Sequence, residues 1–441
     1  MGTREETFRK LYHEGLQLIA DGKDDDGMKV LYEAAKTAPE GWLALSNELI
    51  KDGKYSVAED RCKEILALTN DRRIRAAAFN NLGMIYCHFS LLDAALQAFI
   101  KAREEYPESP DPHSNLALLA QWEARFDDAI RLSNRALESD PWHEQAQFIK
   151  SMCLLLDGRY EEGFEAYECR WRSKTNNLQK LFCNKPEWDG TNGKSLFIYG
   201  EQGHGDSILM LRYAKEIHKL GIKQSWVTQK SMSPLLKLIP EIDCVVEVGD
   251  PLPDFDCHIP AVSLPRVFKT TTENIPASPY IAKPDDCKVY RGFNVGIVWR
   301  GSTAQTNDPI RSSSLEQWRD VLDVEGVTFH SLQVDNAAEG LLFPKIVQST
   351  PPTSWLDTAR AIANLDLIIS VDTSMVHLAG AMGIPCWCAL HSRPYFVYPP
   401  KFGERTPWYE NVKLFRATKP HDWQNVFQRI ATELCTRLNP S

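Results

Sequence analysis

Residues 82–107 read LGMIYCHFSLLDAALQAFIKAREEYP, and residues 116–141 read LALLAQWEARFDDAIRLSNRALESDP. Aligned, Leu82, Gly83, Ala95, Ala102 and Pro107 fall on Leu116, Ala117, Ala129, Ala136 and Pro141, a fixed offset of 34 residues. Self-similarity at such a period marks a repeat architecture. The pattern extends outward in both directions. Gly15, Gly27, Ala34 and Pro39 keep the same internal intervals, Leu45 and Ala58 repeat them with a short insertion, and Gly163 with Tyr167 closes the series, so five units are expected.

Each repeated position has a structural chemistry. A small residue lets two helices touch, an aromatic such as Tyr86 or Phe99 fills the space beside it, and proline ends the second helix. These spacings resemble tetratricopeptide repeats over about the first 172 residues. The resemblance implies an α-solenoid whose concave groove binds a polypeptide. The competing reading is an array that packs only against the rest of its own chain.

The composition allows folded domains throughout. Hydrophobic residues make up 43% and charged residues 25%, as in ordinary globular chains. A formal net charge of -9 argues against electrostatic capture of bulk nucleic acid or an anionic membrane, which require basic surfaces. The first 22 residues carry charge on both sides of a short apolar patch, unlike a secretory leader, and no later run is long enough to span a bilayer. Eleven cysteines are scattered, and Cys386 and Cys388 alternate across an expected strand, unlike a metal knuckle or redox pair. A reduced, cytoplasmic protein without membrane insertion is expected.

Past the polar stretch SKTNNLQKLFCNKPEWDG, helical periodicity gives way to short apolar runs separated by loops and helices. Residues 195–199 form the first run, followed by GEQGHGD at 200–206 and a helix-like SILMLRYAKEIHKLG. This is strand, glycine loop, helix. Its order, GxxGxG, fits neither the dinucleotide fingerprint nor a P-loop. Gly203 and Gly205 allow close approach of a ligand to the backbone. Asp206 stands where it either caps its helix or faces that ligand, and Glu201 is a second carboxylate in the same loop.

A second strand-loop unit starts with FNVGIVW at 293–299 and a polar loop holding Asn307, Asp308 and Arg311. Later, LIISV at 367–371 reads as a buried parallel strand and leads into Asp372, Thr373, Ser374 and a helix containing His377. Two hydroxyls and several unpaired amides at a helix start suit a pyrophosphate. His377 follows Ser374 by three residues and so shares its face.

Together, GEQGHGD, VGIVWRG, NDPIRSS, SLQ at 331–333 and DLIISVDTSMVHLAGAMGIP resemble glycosyltransferase family 9, the heptosyltransferase-like enzymes, over about residues 186–438. The order of parts is similar to that of the O-linked N-acetylglucosamine transferases, in layout alone. The resemblance implies a GT-B fold of two Rossmann-like lobes. The full expectation is therefore an α-solenoid over 1–172, a linker and acceptor-side lobe over 173–290, and a nucleotide-sugar lobe over 291–441 with a closing helix near His421.

Carried over motif by motif, the resemblance makes Asp206 the general base. Asp372, Thr373, Ser374 and His377 become donor-binding residues, and Arg311 becomes a phosphate contact. It implies inverting transfer from a nucleotide-diphosphate sugar, a co-substrate, with no resident cofactor. Asp254-Phe-Asp256 imitates a metal-binding DxD but precedes the apolar run HIPAVSL, as a strand edge would. No basic cluster offers itself to an anionic lipid acceptor. The alternatives to a protein-modifying transferase are a non-catalytic scaffold or sugar-nucleotide sensor, and a transferase acting on a glycan or modified nucleobase.

Overall fold

The computed structural model describes residues 4–37, 39–173, 178–181, 183–191, 193–285, 289–302, 308–334, 337–348 and 352–438. Asn307, one of the loop residues noted above, lies outside them. The chain divides into two compact units, Met1–Cys153 and Leu154–Ser441.

The first unit is helical. Arg4–Ala20 pairs with Asp24–Ala35, Pro39–Lys51 with Tyr55–Leu68, Arg72–His88 with Leu92–Glu105, and Pro110–Trp122 with Phe126–Ser139. The recurring small residues lie where these helices meet: Ala95, Ala102, Ala117, Ala129 and Ala136 are fully buried. At Gly83 a Cβ would overlap the ring of Phe99, itself buried, so the glycine-aromatic pairing across the hairpin is steric. A polar series runs between successive hairpins. Asn81 Nδ2 donates to Asn47 Oδ1 at 2.7 Å and Ser46 Oγ at 2.9 Å, Asn115 Nδ2 donates to Asn80 Oδ1 at 2.8 Å, and Gln145 Nε2 donates to Asn115 Oδ1 at 3.1 Å. Asn47, Asn81 and Asn115 are themselves spaced by 34 residues.

A second repeated feature sits at the turn inside each hairpin. Gly22, Gly53, Ser90, Ala124 and Gly158 all adopt positive φ, between 56° and 76°. There the N–H three residues past the helix returns to a carbonyl five residues back, as from Leu91 to Tyr86 and from Arg125 to Ala120. A left-handed alanine costs roughly 1–2 kcal/mol, partly offset because glycine gains freedom in the unfolded chain. Ala124→Gly is therefore expected to stabilise the protein by about 0.5–1 kcal/mol. A lower denaturant midpoint for that variant would contradict the assignment of this turn.

The second unit is built on two all-parallel sheets. The first contains β1 (Ser195–Tyr199), β2 (Lys223–Thr228), β3 (Cys244–Glu247) and β4 (Cys257–Pro260) in the order β3-β2-β1-β4. The second contains β5 (Phe293–Val298), β6 (Val327–Ser331), β7 (Ile346–Val347), β8 (Leu367–Val371), β9 (Cys386–Leu390) and β10 (Val412–Arg416) in the order β10-β9-β8-β5-β6-β7. β8 and β9 in the second sheet are buried at every residue, as strands covered on both faces are, which is why LIISV carries no polar alternation. The expected architecture, a repeat solenoid followed by an α/β region with parallel sheets, is the one observed. The closing helix runs Trp423–Leu438 and buries Trp423, Val426, Phe427 and Ile430 in the core of the second sheet.

The boundary between the units falls before the helix Tyr160–Tyr167, nearer the N-terminus than residue 172. Tyr160 and Phe164 pack their rings against Trp408 at 5.4 and 6.1 Å, and Phe164 meets Phe396 at 5.4 Å. Trp408 Nε1 donates to the Tyr160 hydroxyl at 2.8 Å. This helix keeps the repeat pattern at Gly163 while using its aromatic face in the core of the α/β unit. Among the described residues no helix is long and apolar enough to cross a membrane.

Candidate functional site

In each sheet the strand order reverses beside one strand: β1 lies between β2 and β4, and β5 between β6 and β8. Ligands of open parallel sheets bind beyond the carboxyl ends of strands at such points. The glycine loop leaves β1 there, and Asp372 leaves β8 there. The two loops meet. A Cβ on Gly205 would lie 2.9 Å from His377 Cδ2 and 3.4 Å from Ser374 Cα, so glycine allows the helix His204–Met210 to sit directly against the helix Ser374–Ala381.

Asp206 sits in the first turn of its helix and is half-buried. Its Oδ2 accepts the Gly203 N–H at 3.2 Å, so it does cap the helix. Burial lifts its carboxyl to about 6, against hydrogen bonds from the Gly203 N–H and the Tyr395 hydroxyl, and the Asp372 charge lifts it further. That value leaves it ionised, and basic enough to accept a proton, near neutrality.

Glu201 faces a different environment. It pairs with Arg170 at 3.0 Å, both side chains being 1% exposed. Arg170 also reaches Glu168 Oε1 and Ser263 Oγ, each at 2.7 Å. Burial raises Glu201 to about 7 despite the guanidinium. Of the two carboxylates in the glycine loop, Asp206 is the one whose neighbours include Asp372. His204 places Nε2 3.1 Å from Gln229 Oε1 and its ring 5.6 Å from Trp355.

On the second lobe, Thr373 is the N-cap, its hydroxyl oxygen accepting the Met375 N–H at 3.3 Å and lying 3.0 Å from Ser370 Oγ. Ser374 is the first helical residue and is half-buried. His377 is buried, with Nδ1 2.9 Å from the Tyr409 hydroxyl. Burial pushes its imidazole down to about 4 and Arg212 adds to the effect, while Asp372 opposes it. It is neutral in the folded protein. Asp372 lies 3.7 Å from His391 Nε2. Burial works to raise this carboxyl, but the interaction with His391 and the charge of Arg311 outweigh it and hold it below its ordinary value.

Arg311 lies at the end of the short helix Asp308–Arg311, 3.6 Å from Asp308 and flat against Gly301, where no Cβ would fit. Among the described residues, Arg300 Nε, two residues past β5, and Arg311 Nε are buried without a hydrogen-bond acceptor, and His391 Nε2, directly after β9, lies 3.7 Å from Asp372. Buried donors of this kind are ordinarily satisfied by a ligand or water. Asp256 is spent on the fold, accepting the N–H groups of Lys194 at 2.8 Å and Ser195 at 3.1 Å, and Asp254 is 3.8 Å from Lys185.

Sequence reasoning therefore names Asp206, Ser374, His377 and Asp372, which the fold gathers, and Arg311, whose charge reaches Asp372. It misses His391, Tyr395, Tyr409, Arg212 and Arg170. For the first two a signal existed: HSRPYF directly follows the buried run CWCAL, at the carboxyl end of a parallel strand. The others carry none, because their partners lie far along the chain.

The fold is a helical solenoid of tetratricopeptide-like repeats followed by an α/β region of two parallel sheets. Residues 115–169 match the tetratricopeptide repeat family. Over 407 residues the chain is 24% identical to protein FlbA of Caulobacter vibrioides, covering 81% of this chain and 67% of that protein. It is 30% identical over 117 residues to the photosystem I assembly protein Ycf3 of Prochlorococcus marinus, covering 26% of this chain and 63% of that one. Among solved structures it is similar to a thermophilic tetratricopeptide-repeat protein of Thermus thermophilus, with TM-score 0.32, 19% identity, and coverage of 38% of this chain and 93% of that chain. A second is MamA of Desulfovibrio magneticus, with TM-score 0.29, 16% identity, and coverage of 39% and 94%.

Proposed function

We propose that the α/β unit transfers a glycosyl group from a nucleoside-diphosphate sugar to an acceptor hydroxyl, with inversion, and that the repeats select a polypeptide acceptor. The observation that carries this reading is the meeting of two loops at the reversal points of two parallel sheets. One brings a half-buried carboxylate lifted to about 6, and the other brings a helix start, Ser374, His377 and nearby unsatisfied cationic donors.

Each part then has a chemical task. Asp206 accepts the proton of the acceptor hydroxyl as that oxygen bonds to the anomeric carbon. The bond from that carbon to the diphosphate oxygen breaks on the opposite face, so configuration inverts. The diphosphate takes up the departing electron pair, and the helix amides near Ser374 together with Arg311 and Arg300 stabilise its charge. The partners are thus a nucleotide sugar in the α/β unit and a protein segment in the repeat groove.

Calorimetry with a panel of nucleoside diphosphates and their sugars tests the donor side. Binding of at least one is expected, with Arg311→Ala weakening it about 10- to 100-fold, the value of a charge-assisted hydrogen bond. Absence of binding across the panel would remove this reading and leave the chain a protein-binding scaffold.

A further inference from the structure

Arg212 lies directly behind the candidate site and is 1% exposed. Among the described residues no carboxylate is paired with it. Its N–H groups donate instead to the carbonyls of Leu209 at 2.8 Å, Trp408 at 2.7 Å and Pro276 at 3.2 Å. Its guanidinium carbon lies 5.1, 5.0 and 4.6 Å from the ring centroids of Tyr280, Trp408 and Tyr409. A buried cation held by carbonyl dipoles and π faces keeps its full field in a medium of low polarity.

That field orders the hydroxyl protons around it. Tyr280 has one proton, and its oxygen lies 3.0 Å from the Ile208 carbonyl, which can only accept. The Tyr280 oxygen therefore presents lone pairs to Arg212 Nη2 at 3.5 Å and to the Tyr409 hydroxyl at 3.3 Å. Tyr409 must send its single proton either to Tyr280 at 3.3 Å, beside the cation, or away from it to His377 Nδ1 at 2.9 Å. Distance and charge favour the second, since a positive guanidinium attracts the lone pairs of both phenols and repels their protons.

We propose that Arg212, Tyr280 and Tyr409 are positioning residues that hold His377 as the tautomer with a bare Nδ1 and a protonated Nε2, making it a hydrogen-bond donor to a substrate oxyanion rather than a proton acceptor. The direction of that donor follows from packing. The Cδ2 edge of the ring, which adjoins Nε2, lies against Gly205, so Nε2–H faces the glycine loop that carries Asp206. The proton-accepting and proton-donating groups then come from different lobes, Asp206 from the first and His377 from the second. The tautomer itself is independent of any substrate, whereas the use of its N–H rests on the transferase reading. Gly380 is part of the same arrangement, because a Cβ there would collide with the Tyr409 ring.

The test is histidine side-chain NMR on the full chain labelled with 15N in its imidazoles, at neutral pH without ligand. The His377 signals are assigned by their loss in His377→Asn or His377→Gln. The expected result is a protonated-type shift at Nε2 and an unprotonated-type shift at Nδ1. The reverse pattern, or two protonated nitrogens, overturns the proposal. In Tyr409→Phe the preference should relax towards a mixture of tautomers, while transfer falls about 10-fold in kcat with little change in donor KM, as when one preorganised donor is loosened. An unchanged single tautomer in that variant would count against Tyr409. Absence of transfer in both proteins, with the wild-type spectrum as expected, would strike the transferase reading and leave the tautomer standing.

Discussion

Asp206→Asn is expected to lower glycosyl transfer by about 10²- to 10⁴-fold, the range for removing a positioned general base, while nucleoside-diphosphate binding persists. The substitution isolates chemistry from folding, because the amide oxygen of asparagine can still accept the Gly203 N–H that Asp206 accepts at 3.2 Å. The pH profile of the unmodified protein gives the same test from another side. Burial holds the Asp206 carboxyl at about 6 rather than near its ordinary value. A base must be unprotonated to act, so kcat/KM should rise with pH through about 6, level off above it, and be lost as pH falls below it. Turnover unaffected by Asp206→Asn, or a profile flat across that window, would remove Asp206 from the reaction.

Arg170→Ala is expected to destabilise the α/β unit by about 3–5 kcal/mol, the effect of breaking a buried ion pair by deleting one member. Arg170 is 1% exposed and bridges Glu201 at 3.0 Å, Glu168 at 2.7 Å and the Ser263 hydroxyl at 2.7 Å. Its loss leaves Glu201 inside the protein without a cation, whereas Glu168 keeps Arg266 at 3.9 Å. Removing the Glu201 carboxylate at the same time, in Arg170→Met/Glu201→Gln, should recover part of the loss, because the second change relieves the unpaired charge that the first creates. Denaturant unfolding of Arg170→Met, Glu201→Gln and the double variant reads this coupling directly. Additive losses would mean that Glu201 and Arg170 act separately, and the ion pair would then not anchor the glycine loop.

Much of this protein is legible in its sequence, and the reason is locality. The recurrence of Leu82, Gly83, Ala95, Ala102 and Pro107 after 34 residues reflects contacts between helices that are neighbours along the chain. Each repeat therefore carries its own instructions for packing. The runs at β5 and β8 announce themselves as buried parallel strands because a strand covered on both faces has no polar alternation to display. Asp206, Asp372 and His377 were visible for the same reason, since each follows such a run at the start of a helix.

What only the tertiary structure decided are choices between residues that look alike locally. Asp206 and Glu201 share one loop, yet Arg170, 31 residues before Glu201, captures the latter. The helix Tyr160–Tyr167 keeps the repeat pattern at Gly163, yet Trp408 and Phe396, more than 200 residues on, draw its aromatic face into the second unit. His377 receives its tautomer from Tyr409 and, through it, from Arg212, whose bond to the Trp408 carbonyl spans 196 residues. Periodicity records which face of an element is buried. It holds no record of which distant side chain arrives there, because that depends on how the long crossovers of a parallel sheet close.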